Sequence, residues 1–218
     1  MKLLSRKSIT AATAVAILGG LSIAAVPSQA ASSTHTSTST AAHSSTSVPD
    51  LTPRQLAKLP LTDRHLSKHE RHNLAVVLNA YYVAEGNSLD AKAFVYDFAK
   101  DGVFNDMVPG VSYSGKALGN VPLYMAGLFP DVHRDLRRIT VNSDTVSIEL
   151  SIQGTFKGPF QSPAGTVKPN GKRVDVPTAD FWYLKNGKVE KFDCFVGYTT
   201  MYQQMGITID WASAVNKH

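Results

Sequence analysis

One cysteine in 218 residues, Cys194, leaves the chain without an internal disulfide. A lone thiol of this kind reads as a small buried apolar residue rather than as a nucleophile. Charge is also scarce: Asp, Glu, Lys and Arg make up 18% of the residues, and no basic block is longer than Arg137-Arg138 or Lys172-Arg173. The 22 Lys and Arg outnumber the 17 Asp and Glu, but Lys2, Arg6 and Lys7 lie in the first thirty residues, which leaves 19 against 17 beyond them. A nearly neutral remainder with no clustered basic face does not capture a polyanion, so nucleic acid is not an expected partner. The length admits one ordinary domain with appendages, and no internal repeat is visible.

Residues 1–30 have the layout of a secretory signal peptide. A basic start, Met1–Lys7, precedes a mildly apolar run over 8–26; Pro27 breaks that run, and Ser28-Gln29-Ala30 supplies small residues for a peptidase. Cleavage is expected after Ala30, giving a secreted protein with no membrane attachment afterwards. Residues 31–48 hold 12 Ser and Thr and no Asp, Glu, Lys or Arg, a composition that cannot offset its chain entropy by burial. They are expected to form a disordered tether, followed by an N-terminal arm over 49–68, a folded domain over 69–206 and a C-terminal tail over 207–218.

Within the folded part, Leu74, Val77, Leu78 and Tyr81 recur at helical spacing, which predicts a helix from His65 to Glu85. Ser88 reads as the cap of a second helix that carries Ala91, Phe94, Val95 and Phe98 and ends at Gly102. A short strand follows around Val103–Asp106, then a third short helix that ends at Leu128-Phe129-Pro130. From there the period becomes two. Val146, Ile148, Leu150 and Ile152 alternate with Ser147, Glu149, Ser151 and Gln153, a strand with one dry face. Leu136–Val141, Arg173–Leu184 and Lys188–Tyr198 also read as strands, and Asn186-Gly187 marks a hairpin between the last two. Helices first and a strand meander afterwards predict an α+β fold, with helices against one face of a curved antiparallel sheet.

The order of these elements resembles the SnoaL-like proteins of the nuclear transport factor 2-like superfamily over residues 69–206. The matching pieces are Asn79-Ala-Tyr-Tyr-Val-Ala-Glu-Gly-Asn, Gly102-Val-Phe-Asn-Asp, Leu128-Phe-Pro-Asp, Gly154-Thr-Phe-Lys-Gly-Pro-Phe and Gly171-Lys-Arg-Val. Ala179-Asp-Phe-Trp-Tyr-Leu-Lys-Asn-Gly-Lys-Val and Met201-Tyr-Gln-Gln-Met-Gly complete the series. The resemblance implies a cone, in which a bent sheet wraps about three N-terminal helices and leaves an apolar pocket at its open end. It also implies proton-transfer chemistry by pocket carboxylates, with no cofactor and no metal. The ketosteroid isomerase branch uses an Asp base, an Asp hydrogen-bond donor and an assisting Tyr; these positions fall on Asp106, Asp180 and Asn79. The cyclase branch uses an Asp on the last strand, and that position falls on Gly197, while Phe156 stands where many relatives carry a His.

Asp106 and Asp180 are therefore candidate acid and base, since a carboxyl group on an apolar wall resists ionisation and two such groups can divide the roles. The competing reading makes both of them fold signatures that tie strand to loop. Asp193 is a third candidate acid, or else a surface residue paired with Lys191. Asn79, Tyr82, Tyr124, Phe129, Phe156, Trp182 and Phe195 are the candidate pocket lining, with Phe160 beside them; aromatics at such spacings also serve as plain core. His65, His69 and His72 share one face of the predicted helix at metal-capable spacing, yet Arg64, Lys68, Glu70 and Arg71 make that face read as solvated, and no metal is assigned. The last strand carries Phe192, Cys194 and Val196 on one face and Asp193, Phe195 and Gly197 on the other. A homodimer through the sheet face opposite the pocket is expected, with Cys194 placed at that interface. Two function classes follow: a module that binds a small apolar molecule without turnover, and a cofactor-free isomerase or cyclase acting on a small carbonyl compound.

Overall fold

The computed structural model describes residues 48–208 together with 210, 213 and 215. The signal-peptide reading, nearly all of the tether and most of the tail fall outside the described residues.

A short helix α1 (Pro53–Leu56) opens the described chain, followed by the long helix α2 (Lys68–Tyr82). Ser67 and Glu70 cap α2 reciprocally: the Ser67 hydroxyl accepts from the Glu70 amide and the Glu70 carboxylate accepts from the Ser67 amide. That box starts the helix at Lys68, so His65 lies before it and the expected row of three imidazoles does not form. His69 instead pairs with Asp144 at 2.6 Å and His72 with Asp50 at 3.2 Å. Helix α3 (Ala91–Asp97) is capped by Asp90, whose carboxylate accepts from the amides of Lys92 and Ala93, and not by Ser88, which closes a preceding 3-10 turn.

Strand β1 (Phe98–Asp106) begins directly after α3, five residues earlier than the sequence predicts. Gly102 is thus inside a strand rather than at a helix end. A Cβ there would meet the Val189 carbonyl at 2.6 Å, at the irregularity where the register of β1 shifts. Strand β2 (Val111–Ser114), helix α4 (Asn120–Leu128), and strands β3 (His133–Asn142) and β4 (Thr145–Thr155) follow. A separate small ribbon, β5 (Phe160–Ser162) with β6 (Gly165–Val167), precedes the hairpin of β7 (Arg173–Lys185) and β8 (Lys188–Val196). Asn186 and Gly187 turn that hairpin with φ of 51° and 70°, the left-handed pair a two-residue loop requires. Helix α5 (Tyr198–Met205) then closes the domain, where the sequence suggests only the end of a strand.

The curved, unclosed sheet runs β2-β1-β8-β7-β4-β3. The fold is the expected α+β cone, with one departure: β1 lies parallel to β8, while the other pairings are antiparallel. Strand β8 has β7 on one edge through the hairpin, and its other edge is filled by a strand from the far end of the chain. The opposite edge of the sheet is not left open either. Arm residues Pro60 and Thr62 exchange backbone hydrogen bonds with Ile139 of β3, so the arm belongs to the packed structure and covers an edge that could otherwise recruit another strand.

Helix α2 lays Leu74, Val77 and Tyr81 on the concave face, as its period predicts. Along β7 the inward positions are Val174, Val176, Thr178, Asp180, Trp182 and Leu184, all buried. Asp180 therefore occupies a place in the row where a carboxyl group has no water to solvate it.

Candidate active site

The site is carried by three neighbouring strands. Asp106 on β1 lies opposite Cys194 on β8, and Asp180 on β7 lies opposite the same Cys194. Asp106, Cys194 and Asp180 form one row across the concave face, with the two aspartates two strand spacings, or about 10 Å, apart at Cα. All three line a cavity of about 130 Å³ between the sheet and helices α2 to α5. Its walls are mainly apolar, with Phe94, Phe104, Met125, Ile152, Trp182 and Phe192 among them. Trp182 and Phe192 stack at 3.5 Å between centroids and Phe104 meets Phe192 edge-on at 4.9 Å, which makes a rigid aromatic floor.

The environments of the two carboxyl groups differ. Asp180 is 3% exposed, and its Oδ2 accepts from the Tyr81 hydroxyl at 2.6 Å. Trp182 Nε1 donates to that same hydroxyl at 3.0 Å, so the phenol is fixed from both sides. Burial pushes the Asp180 carboxyl up to about 6, against the opposing effects of the Tyr81 hydrogen bond, the neighbouring Cys194 thiol and the Arg134 charge. Asp106 is only partly buried; burial raises it too, and the hydrogen bond from the Tyr198 hydroxyl to its Oδ2 pulls it back. Each carboxyl group keeps one oxygen, Oδ1, buried and without a hydrogen-bond partner. A buried acceptor without a partner is costly, and two of them in one cavity are satisfied by a proton, a water or a ligand. Arg134, on β3, also lines the cavity, but its guanidinium is held by the Ala84 carbonyl at 2.9 Å and by Glu85 at 3.3 Å.

Of the residues singled out from sequence, Asp106, Asp180, Tyr124 and Trp182 line this cavity. The others lie elsewhere. Asp193 is on the convex face, where it accepts from Asn105 at 2.7 Å and pairs with Lys191 at 2.8 Å; it is the ion-paired residue, not a cavity acid. Phe195 is on the same outer face, 40% exposed and edge-on to Phe181. Cys194 is the reverse case: it faces the cavity, and the dimer face assigned to it is the opposite one. Asn79 donates to Asp97 at 2.9 Å on the α3 side of α2, and Tyr82 is 64% exposed, because neither shares the helix face of Tyr81. Asp97, itself buried, is pushed up to about 6 by that burial. Phe129 and Phe156 are fully buried against each other at 6.3 Å, and Phe160 packs on Tyr202; all three serve the core. Gly197 carries no side chain and stands at the N-cap of α5. Among the described residues no group of three His, Cys, Asp or Glu side chains is arranged to hold a metal ion.

Tyr81, Tyr113, Arg134 and Tyr198 are site residues that sequence reasoning did not select. Tyr81 could have been found, since it closes the apolar stripe of α2 and so must face the sheet. Tyr198 gave no such signal, because the strand–helix break at Gly197 is not visible in the local pattern.

The family model described as SnoaL-like polyketide cyclase matches residues 75–205. Similar solved structures include a candidate SnoaL-like polyketide cyclase from Jannaschia sp. CCS1, at 19% identity and a TM-score of 0.58, covering 66% of this chain and 98% of that one. A hypothetical protein with a ketosteroid isomerase-like fold from Catenulispora acidiphila DSM 44928, in complex with trimethylamine, has 20% identity and a TM-score of 0.52, over 62% of this chain and 95% of that one. TsrD from Streptomyces laurentii has 15% identity and a TM-score of 0.51, over 66% and 100%. These likenesses show the fold. No curated protein matches the chain.

Proposed function

Because this chain belongs to the SnoaL-like polyketide cyclase family, we propose that its cavity takes a small apolar carbonyl compound and that Asp106 and Asp180 move a proton on it. The observation that carries this reading is the pair of cavity carboxyl groups in one row, each with a buried, unpartnered oxygen and unequal burial. Asp106, nearer water, is the base: its Oδ1 takes a proton from the carbon α to the carbonyl. The C–H bond breaks, an O–H bond forms on Asp106, and the electron pair passes to the carbonyl oxygen. Asp180, which desolvation keeps protonated up to about pH 6, donates a hydrogen bond to the developing oxyanion, with Tyr81 holding its other oxygen. Return of the proton at a second carbon completes an isomerisation; attack of the enolate carbon on a second carbonyl, with Asp106 returning its proton to the alkoxide so formed, completes a cyclisation. The pair of electrons stays on the substrate throughout, so neither step calls for an electron acceptor.

A panel of enolisable ketones tests the reading by turnover, with β,γ-unsaturated ketones first. A second reading, binding without turnover, is favoured by Asn79 and Gly197: one is committed to Asp97, and the other has no side chain at a position where relatives carry an acid. Tight binding of the same ketones with no conversion would select it.

Two further elements belong to this proposal. Export through residues 1–30 predicts a mature protein beginning near Ala31, and recovery from culture medium of chains that still begin at Met1 would contradict it. A homodimer through the convex face is supported by its half-covered aromatic pair, Phe181 and Phe195, flanked by a groove between Arg138, Glu149 and Ala179. Phe195→Arg is expected to halve the sedimenting mass while leaving melting cooperative; an unchanged mass, or a wild type that is always monomeric, would rule the interface out.

A further inference from the structure

Part of the cavity wall comes from a residue of the last helix. Tyr198 is the first residue of α5, and its hydroxyl crosses to Asp106 on β1, 92 positions earlier in the chain, to donate to Oδ2. We infer that Tyr198 is the positioning residue of the proposed base: by occupying Oδ2 of Asp106 it leaves Oδ1, buried in the cavity wall, as the single oxygen without a partner and free to take a proton. The inference rests on the reading of Asp106 as a base, and adds to it which oxygen reacts and what holds it.

A carboxylate at the end of a strand rotates about its Cβ–Cγ bond, and a base that rotates spends part of its time misaligned. The Tyr198 bond removes that freedom. It also counteracts the desolvation of Asp106, since a hydrogen bond to the ionised form favours that form. The donor does not titrate away, because burial and the Asp106 charge hold the Tyr198 phenol far above its ordinary range. Its place is fixed by the packing of α5. Met201 and Met205 are buried, Asn170 donates to the Met205 carbonyl at 2.7 Å, and Gln204 donates to the Asp175 carbonyl at 3.1 Å while accepting from the Asp175 amide at 2.7 Å.

The other groups around Asp106 do not supply this role. Tyr124 of α4 and Tyr202 of α5 feel its charge, and both are raised, chiefly by burial, so they remain neutral phenols. Tyr113 of β2 lines the same end of the cavity. Across the row, the Cys194 thiol is pushed up by burial and stays neutral, Asp180 repels a second negative charge, and Arg134 lies on the Asp180 side. Tyr198 is the partner that bonds Asp106 directly.

The test is the titration of the Asp106 side-chain carbon by NMR, alongside the pH–rate profile. Tyr198→Phe is expected to raise the Asp106 midpoint by about one pH unit, a tenfold change in proton affinity, and to shift the acidic limb of the rate profile by the same amount. Fluorotyrosine at position 198, a stronger donor of the same shape, is expected to move both the other way. A midpoint that does not move in either variant overturns the inference. The two readings separate cleanly: a shifted midpoint with no turnover sinks the catalytic proposal and keeps the bond, whereas turnover with an unshifted midpoint sinks the role of Tyr198.

Discussion

Asp106→Asn is expected to lower kcat for isomerisation of a β,γ-unsaturated ketone by about 10²–10⁴-fold, the range a positioned general base contributes. The substitution keeps the shape of the side chain and gives Tyr198 an amide oxygen to bond, so α5 should stay where it is. What is lost is the capacity of Oδ1 to take a proton at any pH. Since the ketone still finds the aromatic floor of Trp182 and Phe192 and the donor at Asp180, KM should change little. Steady-state kinetics of the variant beside its melting curve checks this. Equal kcat in wild type and variant would remove Asp106 from the mechanism.

At the other end of the row, Asp180→Ala and Asp180→Asn should part company. Alanine removes the oxyanion-side donor and should lower kcat by about 10²–10³-fold, as loss of one such donor does elsewhere. Asparagine keeps a donor and should cost much less. The pH dependence sharpens the contrast. Asp180 donates only when protonated, and burial pushes its carboxyl up to about 6, so wild-type activity should fall as pH rises through that value. In Asp180→Asn this limb should vanish, because the amide does not titrate. The same shift affects stability: the folded carboxyl holds its proton more tightly than an unfolded one at its ordinary 3.8. The stability it contributes is therefore complete below about 4 and lost as pH rises through about 6. Rate profiles of the three proteins between pH 4 and 8 decide the matter, and a limb near 6 that survives in Asp180→Asn would assign it to another group.

How much of this could be read from the residues alone depends on which forces act locally. The α2 stripe and the β4 alternation are enforced by burial within one element, and the Asn186-Gly187 turn by left-handed backbone angles. Each leaves a mark a few residues long. The parallel pairing of β1 with β8 leaves none, since it joins segments more than eighty residues apart. The face of β8 shows the limit most plainly. Phe192, Cys194 and Val196 alternate with Asp193 and Phe195, so both faces look half apolar, and period alone cannot tell inside from outside. Register with Asp180 decides it, which turns Cys194 inward and sends Asp193 and Phe195 out. The end of the long helix misled in a similar way: the resemblance set Asn79 at the position of the assisting tyrosine, but rotation about α2 gives the cavity Tyr81. Short elements such as β2, the β5–β6 ribbon and α5 are held by tertiary contacts and carried no periodic signal.

The central claim, that this cavity moves a proton on a bound carbonyl compound through Asp106, is tested most directly by hydrogen exchange. The protein is incubated in D₂O with a cyclic β,γ-unsaturated ketone, and deuterium entering the enolisable carbon is followed by NMR. Wild type is expected to accelerate that exchange well above the buffer rate, with Asp106→Asn returning it close to the buffer rate and Asp180→Ala lying between. Exchange at the buffer rate in the wild type, or equal acceleration by wild type and Asp106→Asn, would contradict the claim.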